Sequence, residues 1–211
     1  MKIAPSILAA DFKRLCEEIK AVEPFVEWIH LDIMDGRFVP NITFGPDVVR
    51  EVRKCTNLVL DAHLMVSEPE KSIEEFAKAG ADYITVHIEA CDVDACIKLI
   101  HAQGKKAGIS IKPKTPVEEV LRFIKNIDLV LVMSVEPGAG GQRFMEDVML
   151  KVRKLREQID RLGLDVLVSV DGGIDQETVK AAKEAGADVI VSGSYIFGSN
   201  DYEKAINKLK M

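Results

Sequence analysis

The sequence predicts an α/β fold, a single (β/α)8 TIM barrel spanning residues 1–211. Three observations carry that expectation. Eight short apolar runs rich in Val, Ile and Leu recur from end to end. Charged amphipathic segments alternate with them. No linker, low-complexity tract or composition shift divides the 211 residues, a length that suits one compact barrel. A doubly wound open sheet is the structural alternative at this level.

The expected strands are Lys2–Ile7, Trp28–Ile33, Leu58–Leu64, Tyr83–His87, Ala107–Ile111, Leu129–Met133, Val166–Val170 and Val189–Ser192. Near-continuous hydrophobicity of this kind suits parallel strands covered by helices. The expected helices include Asp11–Val22, Glu70–Ala79, Val93–Ala102, Val117–Ile124, Asp147–Leu162 and Gln176–Ala185. Asp11 and Asp175 read as N-caps, and Pro116 falls where a first helical turn tolerates it. Gly80, Gly104, Gly163 and Gly186 stand just after helices, where left-handed stops belong. A faint repeat links the fourth and eighth strands: residues 79–86 read AGADYITV and residues 185–192 read AGADVIVS. Two half-barrels would give that pattern, and so would any two helix–glycine–strand junctions.

With 28 basic and 34 acidic residues the chain carries a formal charge of -6. That balance argues against a nucleic-acid or membrane-surface partner, both of which need a basic footprint. No apolar run approaches the ~20 residues that cross a bilayer. Pro5, Ser6 and Asp11 interrupt the N-terminal apolar stretch, which argues against a cleaved signal peptide. Four cysteines without CxxC spacing read as reduced thiols in a cytoplasmic protein.

In such a barrel the chemistry sits at the carboxyl ends of the strands. His30, Asp32 and Met34 are two residues apart and therefore share one face of the second strand, toward the barrel mouth. Asp61, His63 and Met65 repeat the device on the third strand. The sixth ends at Met133 and the seventh runs into Asp171. His30, Asp32, His63 and Asp171 thus converge from three strand ends, and two imidazoles with two carboxylates could hold zinc or another borderline divalent ion. Met34, Met65 and Met133 form an expected apolar collar that would exclude water.

Three segments could hold a phosphate: Gly138, Ala139, Gly140 and Gly141 after the sixth strand, Gly172 and Gly173 after the seventh, and Gly193 and Ser194 after the eighth. Glycines let backbone N–H groups approach an anion closely. His87 reads as a core or supporting residue and His101 as a solvated one. Asp35, Arg37 and Asn41 lie in the loop after the second strand, where they could touch substrate, although loop polarity alone explains them as well.

Seven segments in order across the chain resemble the ribulose-phosphate 3-epimerase family. They are PSILAADF (5–12), HLDIMDGRFVPNITFGP (30–46), DAHLMV (61–66), AGADYITVHIEA (79–90), MSVEPGAGGQRF (133–144), VDGGI (170–174) and SGSYIF (192–197). The resemblance implies a ribulose-phosphate-binding barrel and one divalent ion on His30, Asp32, His63 and Asp171. Zinc is the first choice, with iron, manganese and cobalt as alternatives. It implies Asp32 and Asp171 as the acid–base pair, Ser6 and His63 against the sugar, and the glycine loops with Asp171 and Ser194 around the phosphate. Ala139 stands where many members carry an aromatic residue, in a loop that acts as a lid in the family. Lys112-Pro113-Lys114 is more basic than the usual pattern.

The implied reaction inverts carbon 3 of a ketose phosphate, D-ribulose 5-phosphate to D-xylulose 5-phosphate, through a 2,3-enediolate. The expected partner is that small molecule alone, with homo-oligomerisation left open. A six-carbon substrate, D-allulose 6-phosphate, is an alternative because such epimerases share the four ligand positions. A non-catalytic phosphosugar-binding barrel would need the glycine loops only. A Schiff-base aldolase would need a lysine inside the barrel, for which Lys112 is the visible candidate.

Overall fold

Each apolar run becomes a strand, in a computed structural model that describes residues Met1–Met211. The strands are β1 (Lys2–Pro5), β2 (Trp28–Met34), β3 (Val59–Met65), β4 (Tyr83–His87), β5 (Lys106–Ile111), β6 (Leu129–Met133), β7 (Leu167–Asp171) and β8 (Val189–Ser192). All pairs are parallel, in the order β1-β8-β7-β6-β5-β4-β3-β2. A single parallel bridge between Ser6 and His30 joins the two ends of the sheet. The ring therefore closes at two residues singled out for chemistry.

Nine α-helices flank the strands: α1 (Leu15–Val22), α2 (Pro46–Cys55), α3 (Ile73–Ala79), α4 (Val93–Ala102), α5 (Val117–Leu121), α6 (Met149–Leu162), α7 (Thr178–Glu184), α8 (Ser194–Phe197) and α9 (Tyr202–Lys210). Three of them, α2, α8 and α9, lie outside the six expected. α2 begins with Pro46 in its first turn, carries Asp47 there and ends on Arg53 and Lys54, a charge order that suits the helix dipole. Several expected helices begin as a short 3-10 turn, as at Phe12–Arg14 and Glu146–Val148. The Asp11 side chain accepts from Lys13 N–H, and Asp175 accepts from the N–H groups of Glu177 and Thr178. No helix is long and apolar enough to cross a membrane.

Strand parity divides the core in two. Leu31, Ile33, Ala62, Leu64, Ile84, Val86, Ile109, Val130, Val132, Val168 and Val170 point outward and pack with the helices in one continuous cluster. Inside the ring, Ala4, Trp28, Leu129, Leu131, Met133, Val135, Val189 and Val191 form a second cluster. Trp28 and Tyr83 stack at its lower end, ring centroids 4.5 Å apart.

The repeat at residues 79–86 and 185–192 corresponds to a shared structural device. Arg53 on α2 reaches Asp82 at 2.9 Å, and Asp82 also accepts from Leu60 N–H at 2.9 Å. Arg156 on α6 reaches Asp188 at 3.0 Å, and Asp188 accepts from Val168 N–H at 2.8 Å. Gly80 and Gly186 have φ of 109° and 94°, and a Cβ on either would lie 2.7 or 2.8 Å from the arginine Cγ. The motif thus needs glycine twice over, for backbone conformation and for the arginine stem.

One expectation is corrected. Cys16 and Cys55 are not separate reduced thiols: they are joined as a disulfide, with Cα atoms 5.5 Å apart. The cause is helix packing. α1 and α2 lie side by side around the barrel, bringing the first turn of one against the last residue of the other. Cys91 and Cys96 are free.

Candidate active site

The period of two residues along β2 and β3 puts His30, Asp32, Met34, Asp61, His63 and Met65 on the inner face. Register then decides who meets whom: His30 stands beside Asp61, Asp32 beside His63, and Met34 beside Met65. Asp171 arrives from β7. One ligand atom from each of His30, Asp32, His63 and Asp171 falls within 4.8 Å of all the others. His63 Nδ1 lies 3.1 Å from Asp32 Oδ1 and 3.3 Å from His30 Nε2. His30 Nε2 lies 3.3 Å from Asp32 and 3.9 Å from Asp171.

The charges inside this cluster are unequal. Burial alone would raise the Asp32 carboxyl. The neighbouring imidazoles of His30 and His63 outweigh it and hold that carboxyl well below the usual range. Ser6 Oγ donates to its other oxygen at 2.5 Å. Asp171 goes the other way: burial and the Asp32 charge push it up to about 6. Burial opposes a charge on His30, yet Asp32 and Asp61 on either side hold it well above the ordinary histidine range. A cluster that retains a proton so strongly favours positive charge at its centre. Two imidazole nitrogens and two carboxylate oxygens, with no lysine or arginine among them, fit a divalent ion.

A cavity of about 360 Å³ opens above the cluster. Asp32, Asp171 and Ser6 form its polar floor, Met34, Met65 and Met133 contribute apolar wall, and Gly138 to Gly141, Gly172, Gly173, Gly193 and Ser194 form the rim. His30 and His63 are wholly buried and do not reach the cavity wall. The His63 imidazole lies beside Asp32, which lines the cavity floor.

The rim is stitched by polar contacts that sequence reading did not single out. Ser134 Oγ donates to the carbonyls of Asp171 and Gly172 at 2.9 and 2.7 Å. Asn41 Nδ2 donates to Gly138 O at 2.6 Å, and Gln142 donates to Glu136 O and Ala139 O at 2.6 and 2.9 Å. A Cβ on Gly172 would lie 2.5 Å from Val135, and one on Gly173 2.6 Å from Phe144 N. Loop packing therefore asks for those two glycines independently of any anion. Gly140 faces open space, so packing makes no such demand on it.

The remaining polar residues sort clearly. Asp35 accepts from the N–H groups of Arg37, Phe38 and Ser67 and shapes its loop. His101 pairs with Asp128 on the surface. Lys112 Nζ lies over the Phe38 ring, 4.0 Å from its centre, outside the cavity wall. The barrel interior thus offers no Schiff-base lysine there. His87 is wholly buried against His63, and burial lowers it to about 4. Asp61, placed on the same face as His63 by strand parity, accepts from His30 Nδ1 at 3.0 Å.

Comparison with known proteins bears on this site. The sequence model of the Ribulose-phosphate 3 epimerase family matches residues 2–197. Ribulose-phosphate 3-epimerase of Bacillus subtilis is 48% identical over 100% of this chain and 98% of its own length. That of Synechocystis is 50% identical over 97% of this chain and 90% of its own. The chloroplastic ribulose-5-phosphate-3-epimerase of Arabidopsis thaliana is 44% identical over 99% of this chain and 75% of its own. Among solved structures, KGPDC from Streptococcus mutans in complex with D-R5P superposes with a TM-score of 0.77, at 16% identity, covering 99% of this chain and 95% of that one. The 3-hexulose-6-phosphate synthase of Salmonella typhimurium gives 0.75 at 20% identity, covering 99% and 96%. Those structural matches establish the barrel; the sequence matches, which run through every strand end described above, establish that this chain is an epimerase and belongs to the ribulose-phosphate 3-epimerase family.

Proposed function

We propose that this chain inverts carbon 3 of D-ribulose 5-phosphate to give D-xylulose 5-phosphate, with Asp32 and Asp171 as the two proton-transfer groups. The observation that carries the reading is a pair of carboxyls, from β2 and β7, that line one cavity in unlike surroundings. Asp32 is kept ionised by its imidazole neighbours, while Asp171 is pushed up to about 6. Inversion needs a base on one face of carbon 3 and an acid on the other. An ionised Asp32 takes the proton from one face, and a protonated Asp171 delivers one to the other; the reverse reaction exchanges their roles.

His30, Asp32, His63 and Asp171 are the residues that would hold one divalent ion, zinc first among the candidates. When bound, such an ion would polarise the carbon 2 ketone and offset the charge of the 2,3-enediolate. Ser6 orients Asp32 and borders the space for the sugar. Met34, Met65 and Met133 keep water from the reacting carbons. Backbone N–H groups of Gly172, Gly173, Gly193 and Ser194, with the Gly138–Gly141 loop as a lid, surround the phosphate. The substrates are soluble, which suits the cytoplasmic setting expected from the sequence; the Cys16–Cys55 pairing removes one argument for that setting.

The test is turnover of ribulose 5-phosphate against allulose 6-phosphate, with metal content measured on the same sample. The reading expects faster five-carbon turnover that chelation abolishes and a divalent ion restores. Full activity in metal-free chain, or preference for the six-carbon sugar, contradicts it.

A further inference from the structure

The two imidazoles of the cluster are held from behind in different ways. His30 Nδ1 meets a carboxylate directly, Asp61 Oδ2 at 3.0 Å, and the other Asp61 oxygen accepts from Thr85 Oγ1 at 2.7 Å. β5 makes room for this threonine: a Cβ on Gly108 would lie 2.2 Å from its hydroxyl. His63 has no carboxylate behind it. Its Nε2 lies 2.9 Å from Nε2 of His87, and His87 Nδ1 lies 3.1 Å from Glu89 Oε2. The other Glu89 oxygen accepts from Lys112 N–H at 2.9 Å and from the Thr115 hydroxyl.

Hydrogen-bond chemistry fixes where the protons sit in this chain. An ionised Glu89 only accepts, so His87 Nδ1 carries the hydrogen it shares with Glu89. Neutral His87 then offers a lone pair at Nε2, and the short contact requires His63 Nε2–H as donor. That leaves His63 Nδ1 bare and aimed at Asp32 Oδ1, inside the ligand cluster. By the same logic Asp61 accepts the hydrogen of His30 Nδ1, so a divalent ion would take the place of the second proton, at Nε2. Packing alone does not ask for an imidazole at position 87. The Phe38 ring sits 4.8 Å away, and a phenyl group would fill the same space without burying two polar nitrogens.

We propose that Glu89, acting through His87, is a positioning device that locks His63 with its proton on Nε2 and presents Nδ1 to a divalent ion, as Asp61 presents Nε2 of His30. The proposal rests on the metal reading given above and extends it to two residues that do not touch the ion.

The test has two arms. In the first, Zn2+ affinity is measured by competition with a chromogenic chelator for wild type, His87→Phe and His87→Gln, with circular dichroism to show folding. His87→Phe should bind Zn2+ about 10–100-fold more weakly. His87→Gln, whose amide oxygen can accept from His63 Nε2–H, should recover most of that loss. In the second, long-range 1H–15N correlation on histidine-labelled wild type reads the tautomers directly; with four histidines the spectrum is assignable. His63 should carry its proton on Nε2 in the zinc-loaded chain. A His63 proton on Nδ1, or Zn2+ affinity unchanged in His87→Phe, overturns the proposal, and the spectrum decides the matter if His87→Phe does not fold. A wild-type chain that takes no divalent ion overturns the metal reading and this proposal with it, whereas tight wild-type binding beside an unaffected His87→Phe overturns this proposal alone.

Discussion

The inside of the barrel has two unlike walls. From β2 to β5 it is polar and tied together, with His30, Asp32, Asp61, His63, Thr85, His87 and Glu89 in one run of hydrogen bonds. From β6 round to β1 it is apolar, built from Leu129, Leu131, Met133, Val189, Val191 and Ala4. Each wall supplies one carboxyl to the cavity. Asp32 is gripped by Ser6 and two imidazoles, while the nearest cation-forming group to the Asp171 carboxylate is His30 at 3.9 Å. The same residue type is therefore driven in opposite directions by its wall. The comparison teaches that acid and base are distinguished here by neighbours, not by side-chain chemistry.

The largest effects should come from erasing that contrast. Asp32→Asn and Asp171→Asn should each lose epimerisation by about 10²–10⁴-fold, read with metal content on the same samples. Their stabilities should diverge. Asp32→Asn removes the charge that two imidazoles and a hydroxyl were arranged to meet and should lower the melting temperature. Asp171→Asn removes a poorly compensated, partly buried carboxyl and should leave the metal-free chain as stable or more so. Equal destabilisation by both would erase the distinction between the walls.

A smaller effect belongs at the opposite end of the barrel. Arg53 donates to Thr56 O, Leu58 O and Asp82, tying α2 to β3 and β4. Arg53→Ala should cost about 1–3 kcal/mol in urea denaturation with kcat unchanged. Arg156→Ala should cost less, because Arg156 makes its bonds to Asp160 and Asp188 only. A loss of kcat in either would mean that the lower rim reaches the chemistry.

The smallest effect is one of pH. Burial would raise Glu89, but hydrogen bonds from His87, Thr115 and Lys112 N–H outweigh it and lower this carboxyl to about 2. A depressed folded value contributes stability that is present above the unfolded carboxyl range, near pH 4.5, and lost as pH falls toward 2. The urea midpoint of Glu89→Gln should therefore lie below wild type at pH 7 and approach it at pH 3. A gap that stays constant between those values would show that Glu89 is not held as an anion.

Much of the site was legible because strand parity is a property of sequence. A period of two put His30, Asp32, Asp61 and His63 on one face before any coordinates, and the four-residue ligand cluster followed. Register and packing are not written so locally. That Asp61 falls beside His30, that His87 lies end-on to His63, and that Ser6 closes the ring on His30 all depend on how neighbouring strands are staggered. The cysteines failed for a related reason: residues 39 apart in sequence meet only because α1 and α2 lie together. Helix α2 escaped notice because its apolar positions, Val48, Val49 and Val52, are few among charges, and burial of that narrow stripe holds it in place.

The most direct test of the central claim follows one hydrogen. Metal-replete chain is incubated with ribulose 5-phosphate in deuterated water, and carbon 3 of both epimers is read by proton NMR at early conversion. Two aspartates serving opposite faces predict that the xylulose 5-phosphate formed carries deuterium at carbon 3 while unconverted ribulose 5-phosphate keeps its protium. Product that retains protium, or deuterium entering both epimers equally from the first turnovers, would contradict the two-carboxyl account.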